Sequence, residues 1–120
     1  MAETILVVED EPTLCQLLAG ALSCAGYRVH QARDGDEATA VFAQHGPAID
    51  LLITDLQMPY LDGSQLIQVL RERRQTLKVL CISGIGQPPA NADGFIAKPF
   101  SRDCLLAQVR AILARPAGQH

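Results

Sequence analysis

Four short apolar runs punctuate the chain: ILVV (5–8), DLLIT (50–54), KVLCIS (78–83) and GFIA (94–97). Each is continuous rather than alternating and rich in Ile, Val and Leu, the pattern of parallel strands covered on both faces. A fifth segment, YRVHQA (27–32), alternates and predicts a half-buried strand nearer an edge. Between these runs the apolar spacing turns helical. Leu14, Leu17, Leu18, Ala21 and Leu22 fall on one helix face, with Gly26 as a stop. Ala38, Val41 and Phe42 form a second stripe ended by Gly46-Pro47, and Leu66, Val69 and Leu70 a third. Leu105, Val109, Ile112 and Leu113 form a fourth, with Ser101 as its N-cap.

Strands and helices thus alternate, which predicts an α/β fold: a doubly wound parallel sheet with helices on both faces. One connection breaks the pattern. Residues 84–93, between the fourth run and the fifth, carry two adjacent prolines and no helical period. A parallel crossover including its helix needs at least about 10–12 residues, so these ten leave room for a single turn at most. Pro88 or Pro89 opening a turn through Ala90–Ala92 is the expectation.

Composition narrows the class. A chain of 120 residues, 48% apolar, supports one core, so 1–120 reads as a single domain with Pro116–His120 as a tail. A formal net charge of −3 gives no field for nucleic acid or an anionic membrane. No apolar run approaches the ~20 residues that span a bilayer, and MAETILVVEDE lacks the basic start of a signal peptide. Cys15, Cys24, Cys81 and Cys104 form no CxxC and sit in apolar segments, so they read as reduced core thiols of a cytoplasmic protein. RERR (71–74) reads as a solvated helix end, and His30, His45 and His120 have no metal-ligand spacing.

Ligands of such sheets bind outside the carboxyl ends of the strands. There the chain places Glu9, Asp10 and Glu11 after the first run, Asp55 after the third, Ser83 at the end of the fourth and Lys98 after the last. Glu11 precedes Pro12 and reads as a helix opener. The remaining carboxylates repel unless they share a cation, and an all-oxygen set suits Mg²⁺. With an ammonium and a hydroxyl opposite, the arrangement suits a phosphoryl group, and an Asp or Glu nucleophile forms an acyl phosphate.

ILVVEDEP, LLITDLQMPYLDG, CISG and FIAKPF together resemble a two-component response-regulator receiver domain of the chemotaxis-regulator kind, over roughly residues 4–115. A-x-D-G-x-E-A within YRVHQARDGDEA is similar to that family's second strand and helix. The resemblance implies five parallel strands in the flavodoxin-like order 2-1-3-4-5. It implies that Asp55 accepts a phosphoryl group from a partner histidine kinase or phosphotransfer protein. Mg²⁺ would be held by Asp10, Asp55 and the backbone carbonyl of Gln57, with Glu9 acting mostly through water. Lys98 would pair with a phosphoryl oxygen and precede a cis peptide bond to Pro99. Ser83 and Phe95 would form the switch. The short connection implies a fourth helix missing or reduced to one turn.

No histidine here sits in a kinase-like motif, so the donor is expected on another protein or elsewhere on a longer parent chain. A stand-alone regulator and the receiver module of a hybrid sensor kinase both remain open, and the output is not specified. Two rivals are weaker. A Mg²⁺-dependent phosphatase of the haloacid-dehalogenase type needs a second Asp two residues after the nucleophile, where this chain has Gln57. A receiver that is never phosphorylated would not need Asp10, Asp55, Ser83 and Lys98 together.

Overall fold

The computed structural model of the protein describes residues 3–56, 63–84 and 91–115. Along the chain run β1 (Thr4–Val8), α1 (Pro12–Cys24), β2 (Arg28–Ala32), α2 (Gly35–His45), a 3₁₀ turn (Gly46–Ala48), β3 (Ile49–Asp55), α3 (Gly63–Arg73), β4 (Lys78–Ser83), β5 (Gly94–Ala97) and α4 (Arg102–Leu113). The five strands are all parallel in the order β2-β1-β3-β4-β5. Three of the four continuous apolar runs form the interior strands β1, β3 and β4. The alternating segment is one edge, and GFIA, read as covered on both faces, is the other, with only Ile96 of its residues buried.

Strand side chains alternate between two cores. Ile5, Val7, Leu51, Ile53, Leu80, Ile82 and Ile96 pack under α1 and α4. Leu6, Val8, Leu52, Val79 and Cys81 pack under α2 and α3. Glu11 caps α1, its carboxylate accepting from the Thr13 and Leu14 amides. Ser101 caps α4 by accepting from the Cys104 amide. Gly26 leaves the first helix with φ of +102°, a conformation that favours glycine.

Two helical stripes are rotated from their expected faces. In α1 the buried residues are Cys15, Leu18, Ala19 and Leu22, and Leu17 is 65% exposed. In α3 they are Leu66, Ile67 and Leu70, with Val69 turned outward. Both helices carry apolar residues beside the stripe, so spacing alone leaves the rotation about the axis open. Only two thiols are core thiols: Cys15 and Cys81 are buried, whereas Cys24 and Cys104 are exposed.

RERR is a solvated end only at Glu72 and Arg73, which are exposed; Arg71 and Arg74 are partly buried. Arg74 donates to the carbonyls of Gly46, Pro47 and Ile49. Arg71 donates to those of Leu77 and Asn91 and pairs with Asp93. Between β4 and β5 the described residues hold no helix; Pro88, Pro89 and Ala90, where a single turn is expected, lie outside them.

Candidate functional site

The carboxyl ends of β1, β3, β4 and β5 deliver the site. Glu9 follows β1 directly and is 1% exposed, held in place by its own amide donating to the Ala32 carbonyl. Asp10 comes next and is exposed. Asp55 ends β3 and is 3% exposed. One oxygen from each of the three carboxylates lies within 4.8 Å of the others.

Lys98 closes the pocket. Its ammonium donates to Asp55 Oδ2 at 2.6 Å and stands 3.6 Å from Glu9 Oε1. Its backbone amide donates to the Ser83 carbonyl, tying the end of β5 to that of β4. The Lys98–Pro99 bond is cis. Ser83 is buried at the end of β4 and Phe95 is half-buried against the core under α2 and α3. Gln57 and Met58 lie outside the described residues.

The electrostatics are those of an over-acidic pocket. Burial pushes the Glu9 carboxyl up to about 7, the Glu11 amide opposes this, and the neighbouring Asp55 and Asp10 reinforce it. Burial works against the charge on Lys98, yet the hydrogen bond to Asp55 and the two carboxylates raise it overall. Glu9 Oε1 is buried with no hydrogen-bond partner among the described residues. A buried, unbonded carboxylate oxygen facing two further carboxylates fits a small, hard divalent cation.

Beside the pocket lies a groove of about 830 Å³ that the sequence does not flag. Leu14, Leu17 and Ala21 of α1 line it opposite Pro99 and Phe100, and Lys98 lines it too. Its only sequence signal is the extra leucine of α1, which reads as core.

A five-stranded, doubly wound parallel sheet with three carboxylates and a lysine at its carboxyl end defines an α/β protein of the flavodoxin-like class with an acidic pocket. Comparison with known proteins fixes the family. The response regulator receiver domain model matches residues 5–110. The DNA-binding dual master transcriptional regulator RpaA of Synechocystis is 38% identical over 92% of this chain and 49% of its own length. The sensor kinase CckA of Brucella abortus is 34% identical over 93% of this chain and 13% of its own. A CheX–CheY–BeF₃–Mg²⁺ complex from Borrelia burgdorferi superposes with a TM-score of 0.86 at 26% identity, covering 94% of this chain and 90% of that one. The chain belongs to the response regulator receiver domain family, the phosphorylation-controlled modules of two-component signalling. It spans about half the length of the first relative and far less of the second.

Proposed function

We propose that Asp55 is the phosphoryl acceptor of this receiver. A carboxylate oxygen of Asp55 attacks the phosphorus of a phosphohistidine on a partner histidine kinase or phosphotransfer protein. The P–N bond breaks, and the imidazole leaves with the electron pair and is protonated. Lys98 pairs with a phosphoryl oxygen, and the Ser83 hydroxyl donates to another. Asp10 and Asp55, with the backbone carbonyl of Gln57 and with Glu9 mostly through water, would hold Mg²⁺, which would supply positive charge against the phosphoryl oxygens. Ser83 and Phe95 carry the change outward to a downstream partner, so the domain acts as a switch and not as a turnover enzyme. Four cysteines without a disulfide suit a reducing, cytoplasmic setting.

The observation that carries this reading is the 2.6 Å contact between the Lys98 ammonium and Asp55, inside a cluster where Glu9 Oε1 has no hydrogen-bond partner among the described residues. The likeness to CckA favours a second setting for the same chemistry, a receiver carried within a hybrid sensor kinase. Incubation with Mg²⁺ and acetyl phosphate, read by intact mass, tests the site. A single phosphoryl adduct is expected, lost in Asp55→Asn and suppressed by EDTA. An adduct that survives Asp55→Asn would refute the assignment.

A further inference from the structure

β5 has four residues, and among the described residues only one flank is paired, in register Leu80↔Gly94 to Ser83↔Ala97. Backbone ladders look the same after a slip, so register must come from side chains. A slip of one residue moves a strand by about 3.3 Å and turns each side chain to the opposite face. It would take Lys98 off Asp55 and turn Phe95 toward the other core.

The amino end of β5 carries a device against such a slip. The Asp93 amide donates to the Val79 carbonyl at 2.8 Å, and the Val79 amide donates to Asp93 Oδ2 at 2.7 Å. The carboxylate thus accepts the Val79 N–H, a bond that a strand neighbour's carbonyl makes in a regular ladder. The same Oδ2 accepts from Arg71 Nη2 at 2.8 Å, and Arg71 also donates to Leu77 and Asn91 carbonyls. The Asp93 carbonyl accepts from Arg115. Arg71 and Asp93 are both largely buried. Arg74 and Asp50 form a looser counterpart on β3: Asp50 Oδ2 accepts from the Thr4 amide at a register shift, and Oδ1 stands 3.7 Å from Arg74 Nη2.

We propose that Arg71, acting through Asp93, is a positioning residue for Lys98: the pair locks β5 in the register that delivers the ammonium to Asp55. The lock sits where the ten-residue connection 84–93 enters β5. It rests on the reading of Lys98 as the phosphoryl partner, and the two can fail separately.

The test uses the 120-residue chain with Mg²⁺ and beryllofluoride, titrated calorimetrically, in a double-mutant cycle. Arg71→Gln is expected to weaken binding roughly 10-fold, the loss of one charge-assisted contact. In a Lys98→Ala background it should cause no further loss. Equal losses in both backgrounds mean a general structural role and overturn the lock. Asp93→Asn keeps the acceptor for Val79 but removes the charge facing Arg71. It should show the same non-additivity, and it carries the test if Arg71→Gln does not fold. Ligand-free NMR reads the register itself: cross-strand contacts between Ile82 and Ile96, and between Ser83 and Ala97, should weaken in either variant. Undiminished contacts overturn the lock. A wild-type chain that binds no beryllofluoride overturns the phosphoryl reading instead, and the NMR comparison then decides the lock alone.

Discussion

Glu9→Gln should make the metal-free protein more stable, and more so as pH rises. Each tenfold change in a proton equilibrium is worth about 1.4 kcal/mol. A carboxyl raised from 4.5 to about 7 therefore costs roughly 3 kcal/mol once it is ionised in the fold. The sign comes from proton binding. Between the two values the folded chain holds a proton that the unfolded chain has released, so stability falls as pH rises. The stabilising difference is fully present below pH 4.5 and is lost as pH passes through about 7. A glutamine keeps the acceptor for the Glu11 amide and has no charge to bury.

Urea unfolding in EDTA from about pH 4 to about pH 8 measures both chains. The two should differ little at low pH, and the variant should lead by roughly 2–3 kcal/mol at about pH 8. Mg²⁺ should reverse the order in part, because a ligand at ten times its dissociation constant adds about 1.4 kcal/mol. Wild type should gain that and the variant less. A difference between the two chains that stays flat across this pH range would refute the argument, since Glu9 would then titrate as in the unfolded chain.

Three further outcomes rest on packing. Gly94→Ala puts a Cβ 2.7 Å from Ile112 Cδ1 and 3.2 Å from Leu80 Cδ1, so urea unfolding should show a loss of about 1–3 kcal/mol. Leu18→Ala should cost about 2–5 kcal/mol and Leu17→Ala less than about 0.5, because only the first is buried; similar losses would contradict the observed rotation of α1. Arg74→Ala removes the donor to the Gly46, Pro47 and Ile49 carbonyls and the partner of Asp50, and should cost about 1–3 kcal/mol in thermal or urea unfolding.

The strands and the pocket were legible because each depends on local sequence. A continuous run such as KVLCIS specifies its own burial on both faces, and β4 spans those six residues. Glu9, Asp10, Asp55, Ser83 and Lys98 stand out because each lies at or just past the end of an apolar run, and a parallel sheet gathers its carboxyl ends. The features that stayed hidden depend on contacts between distant segments. The rotation of α1 is set by the sheet beneath it, so Leu17 and Cys15 could not be told apart by spacing. Arg71 and Arg74 fold back onto Asp93 and Asp50, 22 and 24 residues away in sequence, and no local pattern announces such pairs. Cys24 and Cys104 lie in apolar stretches whose exposed sides only the packed helices reveal.

The two ends of the sheet treat charge in opposite ways. At the amino end, Arg71 and Arg74 meet backbone carbonyls and aspartates, and Lys78 donates to the Leu113 and Arg115 carbonyls at the end of α4. Such satisfied groups stabilise the fold and set strand register. At the carboxyl end, three carboxylates crowd together with one lysine paired to two of them, and a buried oxygen of Glu9 is left without a hydrogen-bond donor among the described residues. That end carries an excess of negative charge that a cation would relieve. A site meant to change state needs such an imbalance, because a ligand shifts an equilibrium only by the free energy it gains in one state over the other. The lock at Asp93 links the two ends: order at the foot of β5 holds Lys98 against Asp55 at its head.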